Sequence, residues 1–367
     1  MDYSKKLRYH FLPGKGWMND PNGLVYFQGY YHAFYQHAPH YEVPWKEPMH
    51  WGHARTKDFL SWEELPVALY PDKDYDNGGC WSGTAIVKDD ILYLFYASIY
   101  TPEGTTDKIQ KVCVASSKDG VNFVKHEKNP VIETYPQDGA PDFRDPAVTC
   151  IDGKYYLVMA TGNEAQTEGR LLIYESDDLF SWTYNKIMHS WDNAKYAECP
   201  SFMEAKDGVL LAASVLETTG YPFFAVMFGD FQNCTYKPTI VGCPDQGPDQ
   251  YAGQIFRDHQ GRCILITWIP GWGKHELAEK NIGCLSVPRE VFLKDGKIHC
   301  YPVKEVQHLL KDSDPAIKFT EDGFVVKRTK RDDLIYKGEI NDIKVIRDEY
   351  VLEIFINGGE TVYSVLL

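Results

Sequence analysis

The sequence predicts an all-β protein: a five-bladed β-propeller followed by a small, truncated β-sandwich-like C-terminal module. Three observations carry that reading. A hairpin pattern recurs five times along the 367 residues. Aromatic residues reach 14%, with 25 Tyr, while Gly and Pro number 29 and 21, a composition suited to short strands joined by tight turns. Long amphipathic helical stretches are missing.

The repeats open at Asp20, Ser82, Asp145, Glu198 and Tyr251, spaced 62, 63, 53 and 53 residues apart. Each has an apolar strand, a turn signal and a second strand. The signals are Gln28-Gly29, Asp89-Asp90, Asp152-Gly153, Asp207-Gly208 and Gln260-Gly261. Such dipeptides between alternating apolar runs mark hairpins. A second pattern follows, with an aromatic four residues after an Asp: Asp58 to Trp62, Asp119 to Phe123 and Asp178 to Trp182. The stretch from Phe228 to Tyr236 is a degenerate fourth copy. Each reads as a third strand, a turn and an outer fourth strand. Four strands repeated every 50–60 residues fit a propeller. Chance similarity within a β-sandwich is the competing reading, and five aligned copies weigh against it. The repeat ends near Val291, and Lys294-Asp295-Gly296 marks one further hairpin. The boundary is placed at 1–300 for the propeller and 301–367 for the small β module. Within the latter, the stretch from Val306 reads as a short helix or loop and Phe319 to Leu367 as strands.

The formal net charge is −14 and the pI about 5.3. This excludes nucleic-acid binding through a basic surface and electrostatic docking on anionic membranes. No apolar run approaches the roughly 20 residues of a membrane span. The opening residues lack the apolar core of a secretory leader. The nine cysteines form no Cys-x-x-Cys pair. A cytoplasmic location is expected. His10, His32, His37, His40, His50 and His53 lack a clean ligand spacing, so neither metal nor cofactor is expected.

In a propeller the first strand of each blade lies beside the central channel, so the repeat openings converge. Three of them are acids: Asp20, Asp145 and Glu198. Like charges held close raise a pKa, and such clusters mark functional sites. Paired carboxylates with abundant Trp suit glycoside hydrolysis. One acid attacks the anomeric carbon or activates water, a second protonates the leaving oxygen, and aromatic rings cover sugar faces. Trp17, Asn19, Asn22, Gln36, Trp45, Trp81, Ser82 and Arg144 open the same blades or flank the acids. Trp62 and Trp182 read as blade packing instead. Asp20 precedes Pro21 and Asn22-Gly23, a rigid turn offering N–H donors that would keep it ionised. Glu198, before Cys199-Pro200, is expected to meet fewer donors and to keep its proton nearer neutral pH.

At this point the residues resemble a family. WMNDPNG (17–23), WSGT (81–84), FRDP (143–146) and ECP (198–200), in this order and spacing, resemble the signature motifs of glycoside hydrolase family 32, the invertases and β-fructofuranosidases. The likeness spans most of residues 8–292. It implies cleavage of terminal β-D-fructofuranosides with net retention, through a covalent fructosyl-enzyme. Sucrose, sucrose 6-phosphate and short fructo-oligosaccharides are the implied small-molecule substrates. The resemblance makes Asp20 the nucleophile and Glu198 the acid/base. Asp145 and Arg144 then hold fructose hydroxyls and stabilise the transition state. Asn19, Gln36, Trp45, Trp81 and Ser82 line the fructose subsite, with Trp17 beside them. Cys199 flanks the acid/base, and Tyr251 and Trp268 fall toward the leaving group. Lys46, His50 and Arg55 are candidates for a phosphate site.

Trp81 and Thr84 depart from the commoner Phe and Ser. The C-terminal module is also shorter than the family's sandwich. Uncovered strand edges there favour pairing between copies, hence a homo-oligomer. Competing functions are a fructosyltransferase on the same scaffold, an inverting arabinosidase or xylosidase, and a non-catalytic sugar-binding propeller.

Overall fold

The computed structural model describes residues 7–43, 46–269, 283–329 and 331–367. The first sheet contains Trp17–Phe27 (β1), Tyr30–Ala38 (β2), His50–Thr56 (β3) and Glu63–Leu69 (β4). The second holds Gly79–Lys88 (β5), Ile91–Tyr100 (β6), Ile109–Ser117 (β7) and Val124–Lys125 (β8). The third holds Phe143–Ile151 (β9), Lys154–Gly162 (β10), Glu168–Ser176 (β11) and Thr183–Asp192 (β12). The fourth holds Ala194–Ala205 (β13), Gly208–Glu217 (β14), Pro222–Gln232 (β15) and Thr235–Gly242 (β16). The fifth is built on Tyr251–Arg257 (β17) and Cys263–Ile269 (β18). Cys284–Leu285 (β19) pairs with β18, and Arg289–Lys294 (β20) and Lys297–Pro302 (β21) complete the sheet. The hairpin at Lys294-Asp295-Gly296 is therefore the outer hairpin of the fifth sheet, not an addition after the repeats.

Three of the five signalled repeat turns, and the outer Asp295-Gly296 turn, share one geometry, whereas at Asp207-Gly208 and Gln260-Gly261 only the glycine has positive φ. Gln28-Gly29, Asp89-Asp90, Asp152-Gly153 and Asp295-Gly296 all have positive φ at both central residues. That is the type I′ signature, whose twist matches that of the flanking strands. The recurring Asp between third and fourth strands also has a local reason. Asp58 Oδ1 accepts from the N–H groups of Leu60 and Ser61, and Asp178 Oδ1 from those of Phe180 and Ser181. Asp119 does the same for Val121 and Asn122.

The innermost strands touch in a closed cycle: β1 with β5, β5 with β9, β9 with β13, β13 with β17, and β17 with β1. Apolar side chains fill the gaps between adjacent sheets. Phe34, Trp51, Leu92 and Leu94 pack the first against the second, and Phe95, Leu157 and Met159 the second against the third. Side chains near the inner strands tie neighbouring sheets. Thr84 Oγ1 donates to Pro146 O and accepts from Val148 N, both at 2.9 Å. Ser201 Oγ accepts from Ile255 N at 2.8 Å. Gln254 closes the cycle, accepting from Leu24 N and donating to Gly83 O.

Beyond β21 lie two three-stranded sheets. One contains Ile317–Thr320 (β22), Gly323–Val326 (β23) and Leu334–Lys337 (β24). The other contains Ile343–Asp348 (β25), Val351–Ile356 (β26) and Thr361–Leu366 (β27). They share a core of Phe324, Val326, Val345, Leu352, Ile354 and Val365.

A buried ionic seam fastens these sheets to the ring. Arg289 donates to Asp245 at 2.5 Å and to Glu353 at 3.0 and 2.7 Å. His10 bonds Asp348 through Nδ1 and Glu353 through Nε2, each at 2.9 Å. Burial opposes a charge on His10, but its two carboxylate partners prevail and raise its pKa to about 9. Burial likewise opposes ionisation of Asp348, yet His10 and three backbone N–H groups hold it down to about 2. No helix among the described residues is long and apolar enough to cross a membrane.

Candidate active site

At one end of the ring, Asp20, Asp145 and Glu198 open into a single cavity of about 1680 Å³. Irregular strands put them there. Arg144 pairs with Ala160 and Ala147 with Val158, so two residues of β9 face one of β10. The same bulge separates Glu198 from Ser201 on β13 and Tyr251 from Gln254 on β17. Its first position has positive φ in all three sheets: Asp145 (59°), Cys199 (47°) and Ala252 (51°). Left-handed backbone costs a non-glycine residue roughly 1–2 kcal/mol. The bulge re-aims side chains out of the strand alternation and into the cavity.

The strand pairing corrects the register read from sequence. Arg144, Glu198 and Tyr251 are equivalent positions, and Asp145 is equivalent to Cys199 and Ala252. The three acids therefore do not share one register; the bulge lets positions half a period apart face the same space.

Asp20 Oδ2 accepts from Ser82 Oγ at 2.7 Å and Asp20 Oδ1 from Asn19 Nδ2 at 3.2 Å. Asn19 is held in turn by Trp17 Nε1 at 2.9 Å. Gln36, 1% exposed, donates to Cys80 O at 3.0 Å. With its amide oxygen facing Gln36, Asn22 accepts from Gln36 N and Nε2 and donates to Ser82 Oγ at 3.3 Å. Asn22 thus supports the wall from behind.

The Cys199 thiol lies between two acids, 3.7 Å from Asp20 Oδ2 and 3.6 Å from Asp145 Oδ2. Its backbone N–H donates to Asp145 Oδ2 at 2.9 Å. Burial and three neighbouring carboxylates push its pKa well up, so the thiol keeps its proton and donates. Besides flanking Glu198 in sequence, it bridges the other two acids.

Glu198 is not poor in donors. Arg144 donates to Glu198 Oε1 from Nε at 3.1 Å and from Nη2 at 3.0 Å, and the Tyr251 hydroxyl donates to Oε2. These donors come from the neighbouring sheets, so the residues next to Glu198 in sequence could not reveal them. Asp20 also departs from expectation. Burial raises its pKa, the Ser82 bond opposes this, and Glu198 reinforces it. For Asp145, burial outweighs the opposing Arg144 guanidinium, and Glu198 and Asp20 add to the rise, to about 7.

The cavity collects Trp17, Asn19, Asp20, Gln36, Trp81, Ser82, Arg144, Asp145, Glu198, Tyr251 and Trp268. Cys199 supports them from below, and Trp17 meets Trp268 edge-on with ring centroids 5.8 Å apart. Trp45 lies outside the described residues. Lys46, His50 and Arg55 are not among the described residues lining the cavity. Arg55 pairs with Glu63 at 2.7 Å, and His50 packs edge-on against Tyr70.

Sequence reasoning missed Asp142, which bonds Arg144 Nη1 at 2.6 Å, and Tyr196, whose ring centroid lies 4.9 Å from that guanidinium. Both stand two residues before a named site residue, Tyr196 on the same face of β13 as Glu198 and Asp142 just before β9, a spacing that could have found them. It gave no role to Asp249, which opens a stretch that resembles the family, and it missed Arg328 and Arg331, for which no local signal exists.

The profile of the Glycosyl hydrolases family 32 N-terminal domain matches residues 10–302. This chain belongs to glycoside hydrolase family 32. A raffinose invertase of Escherichia coli is 36% identical over 323 residues, covering 84% of this chain and 66% of that protein. A sucrose-6-phosphate hydrolase of Zymomonas mobilis is 36% identical over 324 residues, covering 82% and 62%. The chain thus spans just under two thirds of these family-32 relatives. Among solved structures, a family-32 β-fructofuranosidase of Bombyx mori superposes with a TM-score of 0.85 at 26% identity, covering 100% of this chain and 89% of that one.

Proposed function

We propose that the protein is a β-fructofuranosidase that hydrolyses terminal β-D-fructofuranosides with net retention. The observation that carries this reading is the placement of Asp20 and Glu198 around one cavity, each with its own donors. Asp20, oriented by Ser82 and Asn19, attacks the anomeric carbon of the fructosyl unit. The bond to the leaving oxygen breaks as Glu198 gives that oxygen its proton. Water then attacks the same carbon, Glu198 takes a proton from it, and Asp20 is released. Asp145, with its raised pKa, holds fructose hydroxyls, and Arg144 balances charge beside Glu198. Trp17, Trp81 and Trp268 supply aromatic walls. Two displacements at one carbon restore its configuration.

The test is sucrose turnover with the product anomer followed by NMR, together with Glu198→Gln and Asp20→Asn variants. Initial release of the β-anomer and loss of turnover in both folded variants are expected. Initial release of the α-anomer, or full activity without Asp20, overturns the assignment. Free fructose and glucose released in equal amounts support hydrolysis; excess glucose would instead favour fructosyl transfer.

The ring is read here as a five-bladed propeller and the two small sheets as a truncated sandwich. The proposed division is 1–300 for the propeller and 301–367 for the small module. A cytoplasmic location and a homo-oligomer through the small module are also proposed. Cell fractionation tests the first. Light scattering that returns only the monomer mass would remove the second.

A further inference from the structure

We propose that the C-terminal module is part of the substrate site. Arg328, Arg331, Asp332, Leu334 and Ile335, together with Tyr221, form a wall that binds a neutral saccharide leaving group beyond its first hexose. This deepens the hydrolase reading and rests on it.

The cavity that holds Asp20 and Glu198 is also lined by Arg328, Arg331, Leu334 and Ile335 of the C-terminal module. Its volume, about 1680 Å³, exceeds the roughly 300–1000 Å³ typical of a small-molecule pocket. One ketose ring between the acids leaves most of that space for what is attached to it.

The wall is built, not incidental. The segment leading into β17 is docked on β27: Gln246 N donates to Val362 O at 2.9 Å and Val362 N to Pro244 O at 2.8 Å. Asp249, 2% exposed, then clamps the module. It accepts from Leu366 N at 2.8 Å, from Arg331 Nη1 at 2.5 Å and from Arg328 Nη2. Arg328 also donates to Leu366 O at 3.0 Å and to Asp332 O at 3.2 Å, fixing the turn that precedes β24. Two residues after Asp249 comes Tyr251, whose hydroxyl meets Glu198. The clamp therefore joins the outer wall to the strand that touches the acid/base.

The chemistry of the wall selects its ligand. Both guanidinium groups are engaged by Asp249. The side chains left open are Tyr221, 64% exposed, and Ile335, 59% exposed, beside exposed Asp332. An aromatic and an aliphatic face with a carboxylate at hand suit a sugar, which offers C–H faces and hydroxyl donors. The described lining holds seven Asp or Glu against three Arg, a field that repels a phosphate ester. A neutral oligosaccharide is the occupant that fits both facts.

The experiment compares kcat/KM for sucrose, the trisaccharide raffinose and sucrose 6-phosphate in the full chain and in Tyr221→Ala/Ile335→Ala. Val124→Ser, at an exposed site outside the cavity, is the control. The raffinose-to-sucrose ratio should fall at least fivefold in the double variant, through KM, with Tm unchanged and the control unaffected. Sucrose 6-phosphate should be at least tenfold poorer than sucrose. A ratio unchanged within twofold in a folded double variant, or a preference for the phosphate ester, overturns the proposal while leaving sucrose hydrolysis intact. Absence of any fructoside turnover in the unaltered chain removes the hydrolase reading, and this one with it.

Discussion

Two buried charge clusters in this molecule use the same kinds of side chain, carboxylates and arginine, toward opposite ends. In the seam, Arg289 and His10 face Asp245, Asp348 and Glu353, and every carboxylate has a cationic partner at 2.5–3.0 Å. Burial alone would raise the pKa of Glu353, but Arg289 and His10 lower it. In the cavity, three acids and Cys199 share one described guanidinium within reach, Arg144, which Asp142 also engages. There burial wins, and Asp20 and Asp145 shift upward. A neutralised cluster fastens two parts of the fold. An under-neutralised one stores unfavourable energy that a substrate and its transition state can relieve.

The sharpest way to break this contrast is to remove a charge from each side. Asp20→Asn should lower kcat on sucrose by at least about 10⁴-fold, and Glu198→Gln by about 10²–10⁴-fold. Steady-state kinetics, with circular dichroism confirming the fold, measures both. Neither change should lower Tm. A large loss of stability in Asp20→Asn would show that its charge holds the fold together.

Arg289→Met should do the reverse. Leaving Asp245 and Glu353 buried without their cation costs about 3–5 kcal/mol. Urea unfolding measures this, and kcat/KM of the folded fraction at 25 °C should stay within threefold. A drop in kcat/KM without loss of stability would place the seam in catalysis.

The pH dependence separates the clusters further. His10 has its pKa raised to about 9, so its contribution is fully present below about 6.5 and is lost as pH rises through 9. Asp348, held down to about 2, contributes above about 4 and loses its contribution as pH falls toward 2. Tm should therefore decline between pH 7 and 9.5, and His10→Gln should flatten that decline.

The smallest effect is expected at Asp145. With its pKa raised to about 7, the folded state binds a proton that the unfolded state lacks between pH 4 and 7. Its contribution thus becomes more unfavourable as pH rises through that window. Asp145→Asn should raise Tm by roughly 1–3 °C at pH 8 and by almost nothing at pH 4, while lowering activity. Equal Tm changes at both pH values would refute the raised pKa.

The hairpins were legible because turn chemistry is local: Gly and Asp tolerate the positive φ that Asp152-Gly153 adopts. Most of the cavity was legible for a related reason, since repeat openings converge once the sheets form a ring. The donors to Glu198 were not. Arg144 and Tyr251 reach it from other sheets across 54 and 53 residues of chain. The half-period offset between Asp145 and Glu198 was hidden as well, because a bulge is a property of strand pairing. Lys46, His50 and Arg55 are of the right residue type for a phosphate site but are not among the described residues lining the cavity.

By itself, then, the sequence determined the repeat, the turns and which residue types would meet at the centre of the ring. These follow from periodicity and from the few side chains that tolerate positive φ. Only the tertiary structure decided which acids are neutralised, which way each pKa moves, and that the C-terminal module forms a wall of the cavity. Electrostatic energy depends on distance and burial in space, and Asp249 and Arg328 meet across 79 residues of chain that no local pattern connects.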